Sequence, residues 1–272
     1  MPHAGRCSWV LVTILHFAHH YAASPEDRIV GTDVPPEIPP SEMPFVCSVR
    51  LQSVHRCCAS ILNPNWLLTS GQCTADLAPD AISIVCGIRM YRTVVEIALL
   101  PYYQPAASKP TANDLALLRV GRALSFTSNV QPIPLYDGVE VSTGTATLVR
   151  YGPMDERWSW WNSKLQLAEV SILSACECQY RLGPALAPYL EPRNICTDNG
   201  FVTTMPLTAT GGPSSRCVGD SGAPVMFAAS ELQPYTLLAV TGWTVAPYGT
   251  GPSVHVRVAP HLDGILSIIG VN

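Results

Sequence analysis

Charge is scarce in this chain. Of its 272 residues 13% are Asp, Glu, Lys or Arg, and 16 basic against 20 acidic side chains leave a net charge of −4. Neither Lys nor Arg forms a run, so the footprint of a nucleic-acid or anionic-membrane partner is missing. No Asn-x-Ser/Thr sequence occurs, which excludes glycosylation by that route. The apolar run Ser8 to Ala18 falls short of the roughly 20 residues that a bilayer span needs, so no membrane span is expected. Low-complexity tracts and internal repeats are lacking as well.

Apolar residues, by contrast, make up 47% of the chain, enough to bury a sizeable core and too many for a disordered one. Arg6, the run Ser8 to Ala18 and the small residues Ala22, Ala23 and Ser24 follow the order of a secretory signal peptide, with cleavage expected near Ala23. Ten cysteines in a chain with such a leader point to an oxidising compartment and a disulfide framework. Removing Cys7 with the leader leaves an odd number, hence a free thiol or an intermolecular bridge.

Short runs rich in Val, Ile, Leu and Thr recur between Pro, Gly, Asn and Asp, which reads as many short strands. The first set is Phe45 to Leu51, Cys58 to Leu62, Trp66 to Ser70, Ile82 to Val85, Thr93 to Leu100 and Leu115 to Val120. Asn63-Pro64-Asn65 is a turn between two of them. After a polar joint over Gln131 to Glu140, a second set runs Thr145 to Tyr151, Leu165 to Leu173, Ala223 to Ala228, Leu237 to Gly242 and Val254 to Val258. Helical spacing is confined to His261 to Ile269, through Leu262, Ile265, Leu266 and Ile269. The expected class is all-β, in two halves with one terminal helix.

Chemistry concentrates in Cys217 to Pro224, CVGDSGAP. Gly219 and Gly222 flank an Asp-Ser pair, so Ser221 can sit on a tight turn amid backbone N–H groups, the nest a nucleophilic serine needs for a developing oxyanion. Gly-Asp-Ser-Gly alone reads rather as a glycine-rich hairpin turn. It does not stand alone, however: RIVGT at Arg28 to Thr32, WLLTSGQC at Trp66 to Cys73, NDLALLRV at Asn113 to Val120 and TGWT at Thr241 to Thr244 accompany it in order. Together these motifs resemble the secreted chymotrypsin/trypsin-like serine proteases. The likeness runs from Arg28 to the C-terminus. It implies two perpendicular six-stranded Greek-key barrels, a cleft between them and a C-terminal helix. On this reading residues 1–23 are the leader, 24–28 a short propeptide and 29–272 the protease-like domain, with the N-terminal barrel about 29–135 and the C-terminal barrel and helix about 136–272.

The resemblance assigns Ser221 as nucleophile, Asp114 as the buried carboxylate that orients the base, and Gly219 and Ser221 as oxyanion-hole donors. The base, which the family places before the Cys of AAHC, is Gln72 here. A general base must accept a proton near working pH and return it, and a primary amide has no such basicity. His55, His255 and His261 are the other histidines outside the leader region. His55 is expected to be structural, His255 to sit in a strand behind the specificity pocket, and His261 to begin the terminal helix.

Further departures follow the same alignment. Ser215 takes the pocket floor where trypsin-like enzymes carry Asp, so no Arg or Lys preference is implied. Arg216 stands beside that floor. Trp243 lines the pocket, and Thr244 and Ser253 replace wall glycines, which should narrow it. Cys57 and Cys73 match the bridge around the missing base, and Cys196 should pair with Cys176 or Cys178. Cys47 and Cys86 are expected on neighbouring strands and able to bridge. Thr147 and Phe227 replace both halves of another bridge, and Cys217 has no partner C-terminal to it, which implies a looser cleft edge. Cys58 has no family bridge. Arg28-Ile29 resembles an activation bond whose new Ile29 amine would pair with Asp220.

The expectation is a secreted serine protease homologue that is proteolytically inactive and acts by binding an extracellular protein or a protease inhibitor. It needs no cofactor and no metal. The alternative is a weak or specialised serine endopeptidase whose base is substituted or supplied by the substrate. Glu156 to Asn162, ERWSWWN, with three Trp, is either an exposed recognition patch or packed back onto the barrel.

Overall fold

Residues 37–104, 110, 112–152, 164–198, 221–228, 234–245 and 251–270 are described by a computed structural model. Antiparallel strands dominate. β1 (Glu37–Ile38) precedes β2 (Val46–Leu51), β3 (Val54–Ile61), β4 (Trp66–Thr69), β5 (Ile82–Cys86), β6 (Met90–Leu99) and β7 (Ala116–Val120). The last six close into a barrel in the order β2-β3-β4-β7-β6-β5. Its interior is Val49, Ile61, Leu67, Ile84, Leu118 and their neighbours, supplied by the pleat that turns alternate side chains inward.

The second half holds β8 (Gly144–Gly152), β9 (Lys164–Leu173), α1 (Ala175–Leu186), β10 (Asn194–Thr197), β11 (Pro224–Phe227), β12 (Thr236–Thr244), β13 (Ser253–Arg257) and α2 (Leu262–Ile269). Strands β9-β10-β13-β12-β11-β8 close through the β8–β9 pair, giving the second six-stranded antiparallel barrel, and β1 adds to the outside of β9. The all-β class, two barrels and terminal helix expected from the sequence are therefore present. One apolar cluster runs across the seam, joining Phe45, Trp66, Leu68 and Leu115 of the first half to Val225, Met226, Leu237 and Ile265 of the second.

Four elements depart from the sequence reading. β1 and β10 are too short for periodicity to declare. α1 lies where no helix was expected, and Gly183 (φ 69) and Pro184 interrupt its pattern. Its start did carry a signal: Ser174 accepts a hydrogen bond from the Glu177 N–H at 3.2 Å, the first half of a Ser-x-x-Glu capping box. β3 also begins earlier than expected, because Gln52 (φ 50) and Ser53 (φ 68) form a two-residue turn to β2 from residues that seldom adopt positive φ. The Asn63-Pro64-Asn65 turn is held by Asn63 Oδ1, which accepts from the Asn65 and Trp66 N–H groups at 2.9 Å each.

Disulfides join Cys47–Cys86, Cys57–Cys73 and Cys178–Cys196. The first crosses directly opposed residues of β2 and β5. Cys178, not Cys176, is the partner of Cys196. Cys58 is a buried thiol outside any disulfide.

Candidate functional site: a glutamine held by a buried aspartate

Gln72 sits in a single 3₁₀ turn, Gly71–Cys73, that follows directly on β4 and is stapled to β3 by Cys57–Cys73. Asp114 precedes β7, the neighbour of β4, and is fully buried. The barrel pairing thus brings two residues 42 positions apart into contact. Asp114 Oδ1 accepts from the Gln72 backbone N–H at 2.7 Å, and Oδ2 accepts from Gln72 Nε2 at 2.8 Å. The Ser70 hydroxyl, itself buried, donates to the same Oδ2 at 2.5 Å.

Gln72 Nε2 also donates to the Gly242 carbonyl of β12 at 2.6 Å. A carboxylate and a carbonyl are both pure acceptors, so the NH₂ end must face them and the amide orientation is settled by chemistry. Both amide hydrogens are committed. What remains is the amide oxygen, which can accept a hydrogen bond but cannot take up a proton near neutrality.

Gly71 contributes through what it lacks. A Cβ there would stand 2.8 Å from the Tyr103 ring and 3.3 Å from Asp114 Oδ1. The ring therefore packs against the bare backbone beside the carboxylate. Burial, then the charges of Asp114 and Asp76, push the Tyr103 phenol up to about 12, so it stays protonated and neutral. Ser70, Gly71 and Tyr103 are the residues that the sequence reading passed over. The departure of SGQC from AAHC at all three positions before the Cys was the available signal.

Ser221 enters the same seam. Its carbonyl accepts from the Cys58 N–H at 2.9 Å, while the next residue, Gly222, donates its N–H to Thr241 at 2.9 Å. Thr241 directly precedes the Gly242 that holds Gln72. Gly222 has φ +81, and a Cβ there would collide with the Cys58 carbonyl and the Thr69 hydroxyl, so glycine is required. Thr69 donates to that carbonyl at 2.6 Å.

Of the expected pocket residues, Trp243 opposes Val254, and Thr244 opposes Ser253 across β12 and β13. Directly opposed residues present their side chains to one face, so Thr244 and Ser253 crowd the same space. Ser215, Arg216, Gly219, Asp220, Arg28, Ile29, Cys217 and the Trp-rich stretch 156–162 lie outside the described residues.

The other histidines lie in other parts of the fold. His55 Nδ1 is 2.8 Å from Ser48 Oγ and its ring lies against Tyr151. His261 is buried at the start of α2. His255, also buried, sits between the Thr197 and Thr241 hydroxyls at 2.9 and 3.1 Å. Burial lowers His255 from 6.5 to about 3, so the fold holds it neutral while the unfolded chain takes up its proton at higher pH. This contribution to stability is complete above about pH 6.5 and declines as pH falls toward about 3. In His255→Gln, urea midpoints between those pH values should fall less steeply than in the wild type; equal slopes would contradict it. Among the described residues no three His, Cys, Asp or Glu side chains gather as a metal site would require.

A double-barrel fold with a buried Asp and a Ser-Gly turn meeting at the seam defines a chymotrypsin-like serine protease scaffold. The Trypsin family model matches residues 33–265, and the chain belongs to that family. It is similar to the serine proteinase stubble of Drosophila melanogaster, 30% identical over 262 residues that cover 90% of this chain and 31% of that protein. The chain thus spans under a third of that relative's length. It is also similar to trypsin-1 of Astacus astacus, 26% identical over 78% of this chain and 87% of the relative. Among solved structures, mouse neuropsin, titled a serine protease expressed in the limbic system of the brain, aligns with a TM-score of 0.66 over 87% of this chain and 99% of its own, at 18% identity.

Proposed function

We propose that this protein is a secreted trypsin-family member that does not cleave peptides and acts by binding an extracellular protein, either a partner in a complex or a protease inhibitor. The observation that carries the reading is the commitment of both Gln72 amide hydrogens to Asp114 and Gly242. Ser221, read as the serine that the family uses as nucleophile, then finds an amide rather than an imidazole at position 72 to take its proton. Losing one triad member leaves about 10³–10⁴-fold acceleration over water in such a scaffold, set against roughly 10⁶–10¹⁷-fold for working enzymes. The opposed Thr244 and Ser253 support the reading by restricting the space for a substrate side chain.

A fluorophosphonate probe tests this directly. Wild-type protein should label no faster than Ser221→Ala and should show no turnover of peptide or ester substrates above that variant. Turnover by the wild type that disappears in Ser221→Ala would establish the endopeptidase reading instead.

A further inference from the structure

The turn between β5 and β6, Gly87 to Arg89, packs on the segment after β7: a Cβ at Gly87 would stand 2.9 Å from the Asn129 carbonyl oxygen. Arg92, near the start of β6, is clamped to the same segment. Its Nε donates to the Arg122 and Ala123 carbonyls at 2.9 and 3.1 Å, Nη2 to Ala123 at 3.0 Å and Nη1 to Tyr91 at 2.7 Å. A guanidinium carrying a full positive charge is thus tied down by neutral carbonyls, with the exposed Arg89 and Arg122 on the two segments that it joins.

Neither segment, 82–95 nor 120–131, contains an Asp or a Glu, although the chain has 20 of them. The acidic residue that comes next on β6, Glu96, is paired with Arg119 at 2.6 Å. Burial, and after it the charge of nearby Arg122, lower the proton affinity of Arg92, and a bound anion would relieve the repulsion between the two arginines. Around these arginines Ile88 is 70% exposed, Tyr91 55% and Phe126 41%. Arg and Tyr beside exposed apolar side chains form the composition of binding hot spots, and positive charge on an otherwise acidic chain fits a negative partner.

We infer that this face of the first barrel, formed by Ile88, Arg89, Tyr91, Arg122 and Phe126 on the two segments that Arg92 ties together, docks an acidic peptide segment of a partner protein that also carries an aromatic or branched apolar residue. The carboxylates would meet Arg89 and Arg122, and the apolar residue would cover Ile88 and Tyr91. A polysaccharide polyanion fits less well, because two exposed arginines offer it little charge density and the apolar side chains offer it nothing. The inference concerns a surface remote in sequence from Ser221 and does not depend on the cleft being inactive.

Selection of a random heptapeptide library on the full-length secreted protein, at about 50 mM salt so that screening is weak, tests it. Enriched peptides should combine Asp or Glu with Phe, Tyr, Leu or Ile. Their affinity should fall about tenfold or more in Arg89→Ser/Arg122→Ser, weaken in Tyr91→Ser, and decline with added salt. These side chains are exposed, so unchanged unfolding midpoints are expected, and Tyr91→Ser alone decides the matter if the double variant does not fold. Absence of enrichment, enrichment without acidic residues, or binding indifferent to these substitutions would overturn the inference. Tighter binding of a heparin hexasaccharide than of any selected peptide, lost in the double variant, would assign the face to polysaccharide and overturn it too.

Discussion

Replacing Gln72 by His should accelerate fluorophosphonate labelling of Ser221 by about 10²–10⁴-fold over the wild type, in protein cut between Arg28 and Ile29, which is the range a positioned general base contributes. The main-chain anchor is in place, since the residue 72 N–H already bonds Asp114 Oδ1 at 2.7 Å. The gain should nevertheless fall short of a full protease. Asp114 Oδ2, the oxygen that an imidazole N–H would use, is shared with the Ser70 hydroxyl at 2.5 Å. That bond drains negative charge from the carboxylate and so weakens its support of a charged imidazole. Adding Ser70→Ala should raise the labelling rate about tenfold further, equivalent to roughly 1.4 kcal/mol for one hydrogen bond to a charged group. A correctly folded Gln72→His protein with no gain would show that the missing base is not what silences the cleft.

The largest loss of stability is expected from Asp114→Ala, about 3–5 kcal/mol in urea unfolding. Asp114 is fully buried and accepts from the Ser70 hydroxyl, the Gln72 main chain and the Gln72 amide. Truncation strands those donors and opens a cavity between the barrels. Gln72→Leu should cost less, since it leaves the Ser70 and main-chain bonds intact. A loss below about 1 kcal/mol for Asp114→Ala would mean that the web contributes little beyond water, contrary to the usual cost of orphaned buried donors.

Much of the scaffold is legible in the sequence. Strand-length runs of Val, Ile and Leu broken by Pro and Gly announce short strands because side chains alternate along them and turns need special backbone angles. The seam between Phe45 and Met226 follows once those runs are assigned to two barrels. α1 was less visible because Gly183 and Pro184 interrupt the helical pattern, leaving the Ser174 and Glu177 start as its one cue. Likewise the family resemblance leaves Cys176 and Cys178 as alternative partners of Cys196, and the choice rests on which cysteine of α1 points inward: Cys178 and Leu182, one turn apart, are the buried ones.

The replacement of a basic side chain by an amide before Cys73 is a matter of composition, and the sequence by itself determined it: no arrangement of atoms can lend a carboxamide the proton affinity of an imidazole. Which way that amide faces was decided by tertiary structure alone. Asp114 arrives from the approach to β7 of the first barrel and Gly242 from β12 of the second, and the two acceptors converge on one nitrogen because the barrels pack against each other. The same holds for Tyr103 over Gly71 and for Arg92 pinned to residues 122 and 123. Hydrogen bonds and ring contacts depend on separations of a few ångström between segments far apart in the chain, and local spacing carries no record of those distances.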